Sequence, residues 1–162
     1  MKVIFLDIDG VLNSEDLARK RIADFRGWND TTNQKFYDFI DENAVKLISD
    51  LCEQYNIIKL VISSSWRLST LEKTIDDFSS DYMLLLHPLV PFIIGITPRV
   101  ESQIRGEEIA KYLQHNSDIT DYCIIDDDSD MLKEQTSNFV QTSFWHGLTN
   151  EHIPKIKSIL KL

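Results

Sequence analysis

Three short apolar runs in this chain each end abruptly in a cluster of small polar or acidic residues. The runs occupy residues 2–6, 57–62 and 122–125, and they end in Asp7 and Asp9, in the serines at 63–65, and in the aspartates at 126–128. Unbroken apolar runs of this length are typical of strands that are buried on both faces of a parallel sheet. Ligands bind beyond the carboxyl ends of such strands. We therefore expect the three polar clusters to meet at one edge of one sheet.

Helical patterns separate these runs. Apolar spacing predicts helices over 43–55, from about Ser69, over 104–114 and over 150–160, together with a further strand near 139–142. Residues 81–98 contain three prolines and Gly95, and the pattern assigns them no element. Strands that alternate with helices indicate an α/β fold with three layers and a mostly parallel, Rossmann-like sheet. A length of 162 residues with 43% apolar side chains fits one domain over residues 1–162.

Residues 14–42 differ from the rest because they are polar, mixed in charge and punctuated by turn-forming residues. We interpret them as a flap or small helical insertion, too short to be a large cap domain. The segment also carries aromatic residues, among them Trp28. Two interpretations of these aromatic rings are open: they pack the flap onto the domain, or they form a platform for a nucleobase.

Charge and composition narrow the classes of partner and compartment. A formal net charge of −9 opposes broad, sequence-independent contact with nucleic acid, but it leaves room for a local basic pocket. No apolar run is long enough to cross a bilayer and no signal-like segment begins the chain, so we expect no membrane partner and a cytoplasmic protein. Cys52 and Cys123 fall within predicted elements and are expected to be buried free thiols.

The strand-end residues can supply the parts of a phosphoryl transfer. An aspartate such as Asp7 can attack phosphorus without a base to activate it, and Asp9 could protonate the leaving oxygen and later accept a proton from water. Gly10 would allow a sharp turn that brings backbone amides toward the phosphate. The aspartates at 126–128 would repel one another unless a hard divalent cation such as Mg²⁺ neutralised them. The alternative for these three aspartates is a solvated acidic loop.

Four segments resemble the motifs of the haloacid dehalogenase (HAD) superfamily, in the same order and with similar spacing. They are FLDIDGVLN, VISSSWR, IRGEEIAKYL and CIIDDDSDM. Within that superfamily the segments look most like the small HAD domains of multidomain RNA-repair proteins. The resemblance covers nearly the whole chain and implies a Rossmann-like HAD core.

The resemblance also implies a role for each matching residue. It implies that Asp7 is the nucleophile and a metal ligand, and that Asp9 is the acid/base and offers its main-chain carbonyl to the metal. It implies Asp127 as the principal acidic ligand of Mg²⁺, supported by Asp126. The second motif offers three serines for one phosphate-binding position, and we favour Ser64 with Ser63 as the alternative. For the cationic position we choose Arg105 over Lys111, because Arg105 opens the predicted helix and its guanidinium could reach both Asp7 and the phosphate.

Other polar and aromatic residues receive structural interpretations. Trp66 is predicted to anchor the helix that follows it, with Arg67 as a solvated neighbour; the alternative is that both line the substrate entrance. The four histidines share no metal-ligand spacing and are assigned no catalytic role.

The function predicted from the sequence is a Mg²⁺-dependent phosphatase that acts on a phosphomonoester, with a nucleotide or a nucleic-acid end among its candidate substrates. The alternatives are a regulatory domain that binds phosphate or metal without turnover, and a phosphotransferase that uses the same nucleophile.

Overall fold

The computed structural model describes residues 1–25, 39–67 and 70–162, and five parallel strands form its centre. The strands are Lys2–Leu6 (β1), Ile58–Ile62 (β2), Ile93–Ile96 (β3), Asp121–Asp126 (β4) and Phe139–Gln141 (β5). They lie in the order β3-β2-β1-β4-β5, and every neighbouring pair is parallel. The α/β fold with a Rossmann-like parallel sheet is thus confirmed. The sheet is wholly parallel over the described residues.

Helical segments connect the strands. The α-helices are Glu15–Phe25 (α1), Glu42–Gln54 (α2), Leu71–Phe78 (α3), Arg105–Gln114 (α4) and Ile153–Ile159 (α5). The 3₁₀ segments cover Asp81–Phe92, Lys133–Asn138 and Asn150–His152. The predicted helices over 43–55, 104–114 and 150–160 therefore correspond to α2, to α4 and to the final 3₁₀ segment with α5. The helix predicted from about Ser69 begins at Leu71, after the N-cap Thr70.

Alternation along the strands creates two cores, one on each face of the sheet. Ile4 and Leu6 of β1 belong to the larger core, which also receives the buried residues of α2 and α5. Val3 and Phe5, which alternate with these two residues along β1, belong to a smaller core with Ile109 of α4. Because successive side chains of a strand point to opposite faces, both faces must be covered to bury a strand with this composition. The result is the three-layer arrangement that the sequence predicted.

Strand β3 lies within residues 81–98, which the sequence analysis left unassigned. The preceding 3₁₀ segment contains Pro88 and Pro91, and β3 itself is an edge strand. A Cβ placed on Gly95 would lie 2.1 Å from the hydroxyl oxygen of Tyr112, so the glycine makes room for a side chain of α4. Glycine in a strand often marks such a close approach, and here it hid the strand from a propensity argument.

The predicted insertion at 14–42 begins with α1 and ends with a short antiparallel bridge between Asn13 and Ile40. Phe39 and Ile40 are buried in the domain. Trp28 lies outside the described residues, so the choice between packing and a nucleobase platform stays a prediction.

Two further expectations concern the thiols and the membrane. Cys52 and Cys123 are buried and free, as predicted, and burial raises the pKa of each thiol to about 12. Among the described residues, none of the helices has the length and apolar character required to span a bilayer.

Candidate active site and metal centre

Strand register brings three of the predicted site segments to the same level. Leu6 at the end of β1 is paired with Ile62 of β2 on one side and with Ile125 of β4 on the other. The next residue of each strand end is Asp7, Ser63 or Asp126. The polar clusters therefore converge at the carboxyl edge of the sheet because parallel neighbours end together.

Three aspartates at this edge form a compact group of carboxylates. One oxygen from each of Asp7, Asp126 and Asp127 lies within 4.8 Å of the other two. Asp7 is 5% exposed and Asp126 only 1%. The Oδ1 atom of Asp7 and the Oδ2 atom of Asp126 are buried without a hydrogen-bond partner. Buried polar atoms are rarely left unpartnered, and hard oxygen donors in such a group fit a divalent cation.

Arg105 is the cation that faces this group. Its guanidinium lies 3.7 Å from Asp7 Oδ1 and 3.2 Å from Asp126 Oδ2, which are ion-pair distances without hydrogen-bond geometry. One arginine cannot neutralise three neighbouring carboxylates, so the group keeps an excess of negative charge. The structure places Arg105 at the first residue of α4, beside Asp7. Lys111 lies six residues further along the same helix, in the wall of a cavity that Arg105 does not line.

The pKa values of the three grouped carboxylates are all raised. Burial raises the pKa of Asp7 to about 6, although Arg105 and a hydrogen bond from Ser64 oppose the shift. Burial and the nearby charge of Asp7 raise the pKa of Asp126 to about 8, again against Arg105. Burial and the charge of Asp128 raise the pKa of Asp127. Burial is the largest cause of each shift, and a bound cation would oppose all three.

Gly10 allows the first and fourth motifs to touch. Its φ angle is +65°, and an added Cβ would lie only 2.3 Å from Asp127 Cγ. A side chain at position 10 would therefore strain the backbone and displace Asp127. The Gly10 amide donates to Asn13 Oδ1 at 2.9 Å, so in this structure it has an intramolecular partner. The predicted sharp turn is present, whereas a contact between the Gly10 amide and phosphate stays a prediction.

Asp9 is held by side chains that the sequence analysis did not assign to the site. The indole nitrogen of Trp66 donates to Asp9 Oδ2 at 2.8 Å, and Asn13 Nδ2 donates to Oδ1 at 2.9 Å. The hydroxyl of Ser65 lies 3.5 Å from Oδ2. Trp66 also packs against the larger core, so it is both a packing residue and a hydrogen-bond donor to Asp9. This second role has no local sequence signal, because it depends on the approach of β1 and β2.

The three serines of the second motif have different neighbours. Ser64 donates a hydrogen bond to Asp7. Ser63 is directed toward Thr97, whose hydroxyl donates to its oxygen at 3.4 Å. Ser65 faces Asp9. The geometry thus brings Ser64, and not Ser63, to the group around Asp7.

The prediction that Arg67 is solvated is wrong. Arg67 is 3% exposed and forms an ion pair with Glu108 at 2.6 Å. It also donates to the carbonyl of Ser64 and, at 2.9 Å, to that of Thr97. These carbonyls lie just beyond the ends of β2 and β3, where an extended arginine can satisfy them.

Glu108 connects this buried pair to the site. One of its oxygens binds Arg67 and the other lies 3.5 Å from Arg105. Glu108 therefore links two arginines that approach the sheet edge from different elements. A weak signal existed in the sequence: Arg105 and Glu108 are three residues apart and so share a face of α4, on which Ile109 is buried.

Comparison with known proteins agrees with this geometry. The family profile described as "HAD domain in Swiss Army Knife RNA repair proteins" matches residues 3–153. A search of curated protein sequences gave no match. Among solved structures, the chain is similar to the HAD domain of effector protein Lem4 from Legionella pneumophila, with a TM-score of 0.52 and 19% sequence identity. That alignment covers 98% of this chain and 95% of the other, and at this identity it supports the fold alone.

The family match spans all four motif segments, and the aspartate group has the donors that a divalent metal requires. The chain thus belongs to the family of HAD domains found in Swiss Army Knife RNA repair proteins.

Proposed function

We propose that this protein is a Mg²⁺-dependent phosphomonoester hydrolase that works through an aspartyl-phosphate on Asp7. The observation that carries the proposal is the pair of buried carboxylate oxygens on Asp7 and Asp126 that accept no hydrogen bond, beside Asp127 and facing Arg105. Such a site is costly for a protein that only needs to fold, and perturbed carboxylates of this kind cluster at functional sites.

The proposed first step forms an acyl-phosphate. A carboxylate oxygen of Asp7 attacks phosphorus, the bond from phosphorus to the leaving oxygen breaks, and Asp9 gives that oxygen its proton. Arg105 and Ser64 are placed to contact phosphoryl oxygens, because both already contact Asp7. Asp7, Asp126, Asp127 and the Asp9 carbonyl would hold Mg²⁺, which supplies positive charge for the phosphoryl oxygens when it is bound.

The proposed second step restores the protein. Asp9, now a carboxylate, accepts a proton from water, the water oxygen bonds to phosphorus, and the bond between phosphorus and Asp7 breaks to release inorganic phosphate. Trp66 and Asn13 support this role because they fix both oxygens of Asp9 in one orientation. A fixed acid/base contributes more than a freely rotating one, since its position is set before the reaction begins.

The candidate substrates are a nucleotide and the phosphorylated end of a nucleic acid. The family description supports them by naming RNA repair proteins. The net charge of −9 restricts such a contact to a local surface. Two alternatives would use the same residues. A regulatory domain would bind without forming a product, and a phosphotransferase would pass the phosphoryl group to an alcohol in place of water.

The proposal is tested by a panel of phosphorylated nucleosides, sugars and oligonucleotides with 3′ or 5′ phosphate ends, assayed with Mg²⁺ and with excess chelator. We expect release of inorganic phosphate that depends on Mg²⁺. Full activity in excess chelator would contradict the metal assignment. Binding without turnover across the panel would support a regulatory domain, and transfer to an added alcohol in preference to water would support a phosphotransferase.

A burst measurement separates the two aspartates. Asp9→Asn should retain binding but lose about 10²- to 10⁴-fold in turnover, because an amide cannot exchange the required proton. Nitrophenyl phosphate, whose leaving group needs no proton, should restore the first step in Asp9→Asn and not in Asp7→Asn. Equal restoration in both variants, or a phosphoryl-enzyme in Asp7→Asn, would overturn the mechanism.

A further inference from the structure

A cavity of about 970 Å³ lies between the loop that follows β3 and the carboxyl-terminal half of α4, and none of the three grouped aspartates lines it. We call it the basic groove. Its walls include Arg99 from the loop, Lys111 and His115 from α4, and Ser65 from the end of β2. None of the described residues that line it is acidic, although the chain carries 26 acidic against 17 basic residues. Its volume is in the range that holds a nucleotide-sized ligand.

Three cations line the basic groove, and one of them, Arg67, is paired with Glu108. Within the described part of the chain, neither Arg99 nor Lys111 forms an ion pair with a carboxylate. The guanidinium of Arg99 donates to the backbone carbonyl of Arg67 at 3.5 Å, and the charge of Arg67 itself is already matched by Glu108. The groove therefore has the charge of an anion site.

Ser65 connects the basic groove to the reaction. It lines the groove, and its hydroxyl also lies 3.5 Å from Oδ2 of Asp9. In the proposed mechanism Asp9 protonates the leaving oxygen, so the alcohol part of the substrate must lie on the Asp9 side of the phosphoryl group. Because Ser65 borders both Asp9 and the groove, the groove is adjacent to the leaving alcohol in this mechanism.

We infer that the basic groove binds a second phosphate carried by the leaving alcohol. This inference rests on the proposed function, and it narrows the substrate to a phosphomonoester whose alcohol bears a further phosphate. Both a nucleoside bisphosphate and a strand that ends in a phosphate have this chemistry, because the next phosphate of each is attached to the same sugar. Arg99 and Lys111 would contact the second phosphate, while Arg105 contacts the first.

The test compares two ligands that differ by one phosphate. Binding of adenosine 3′,5′-bisphosphate and of adenosine 3′-monophosphate is measured by calorimetry with Mg²⁺, in an Asp7→Asn background that prevents turnover. We expect the bisphosphate to bind about tenfold more tightly, the size of one charge-assisted contact. The double variant Arg99→Ala with Lys111→Ala should lose that preference. The matched control, Lys133→Ala with Lys155→Ala, removes the same charge outside the groove and should keep it.

Each result decides the inference. Equal affinity for the two ligands, a preference that survives the groove variant, or an equal loss in the control would overturn it. Two further ligands, fructose 1,6-bisphosphate and a dinucleotide with a 3′-phosphate, identify the kind of molecule that carries the second phosphate. If both bind tightly, the groove recognises phosphate alone. If only the dinucleotide binds tightly, the groove recognises the end of a strand. Hydrolysis of nitrophenyl phosphate reports on the proposed function separately, so an active protein without the bisphosphate preference disproves only the groove.

Discussion

At the amino ends of the strands Asp121 lies between two lysines, whereas at the carboxyl ends three aspartates face one arginine. Asp121 binds Lys2 at 3.1 Å and Lys161 at 2.5 Å, and these contacts lower its pKa to about 2. Lys2 also donates to the carbonyl of Leu160 at 2.6 Å, which ties the chain terminus to β1. At the opposite edge, burial raises the pKa of Asp7 to about 6 and that of Asp126 to about 8.

One sheet can therefore carry an edge at which positive and negative charges are balanced and an opposite edge at which negative charge is in excess. Side chains at the amino edge satisfy one another and stabilise the fold. At the carboxyl edge the three carboxylates outnumber the arginine that faces them, as expected for the cation site proposed above. The following predictions test whether the two edges differ in this way.

The largest expected effect is on turnover. Asp7→Asn should abolish both phosphate release and the phosphoryl-enzyme, because an amide oxygen is a far weaker nucleophile than a carboxylate. The same change at the other edge, Asp121→Asn, should leave most of the activity. Stopped-flow and quench measurements on the two variants check this, and equal losses at the two edges would remove the functional distinction between them.

The second effect concerns Glu108, which pairs with the buried Arg67 at the carboxyl edge. Glu108→Ala would leave Arg67 buried without its partner, and loss of one member of a buried ion pair costs about 3 to 5 kcal/mol of the free energy of unfolding. Urea unfolding measures the change. The control is Glu107→Ala, an exposed neighbour on α4, which should change stability by no more than about 0.5 kcal/mol. A similar result for both variants would show that the buried pair does not stabilise the fold.

The third expected effect is a gain, and not a loss, in the free energy of unfolding. Because the folded-state pKa of Asp126 is raised, its contribution to stability is full below about pH 4 and is lost as pH rises through about 8. Asp126→Asn should therefore stabilise the metal-free protein at pH 8, by at least the 1.4 kcal/mol or so that one pKa unit represents. It should also weaken the stabilisation given by added Mg²⁺.

Thermal unfolding in chelator and in Mg²⁺ checks both parts of this prediction. The control is Asp128→Asn, because Asp128 is exposed and adjacent but is not one of the three grouped carboxylates. Destabilisation of the metal-free protein by Asp126→Asn at pH 8 would contradict the proposed charge imbalance.

The smallest expected effect is on the stability that Asp121 contributes at the amino edge. The pKa of Asp121 is lowered, so the stability that it contributes is present above about pH 4 and is lost as pH falls through about 2. Asp121→Asn should lower the melting temperature at pH 7 and match the unchanged protein near pH 2. Identical melting curves at pH 7 would show that the lysine pairs contribute no stability.

Much of the fold followed from local patterns. The runs that became β1, β2 and β4 were identified by apolar content and length, and α2 and α4 by their spacing, because these signals depend only on neighbours in the chain. Strand β3 was missed because Gly95 and the nearby prolines read locally as loop, while its place in the sheet depends on pairing with β2 and on Tyr112 filling the space above the glycine.

For the candidate site, too, the sequence predicted the residues, and the tertiary structure decided how they are brought together. Asp7, Asp9, Ser64, Arg105, Asp126 and Asp127 were chosen from strand ends and family motifs, and parallel register gathers them at one edge because Leu6 is paired with Ile62 and Ile125. The roles assigned to these residues stay predictions, although their proximity is observed.

The sequence alone determined where the strands end and which acidic and polar residues follow them, since strand-forming apolar runs are local. Tertiary structure decided which partners those residues meet: Trp66 contacts Asp9, and Arg67 contacts Glu108. These contacts join residues far apart in the chain, and their formation depends on strand order and helix placement. No local pattern encodes that information, because a side chain's partner is set by the packing of the whole domain.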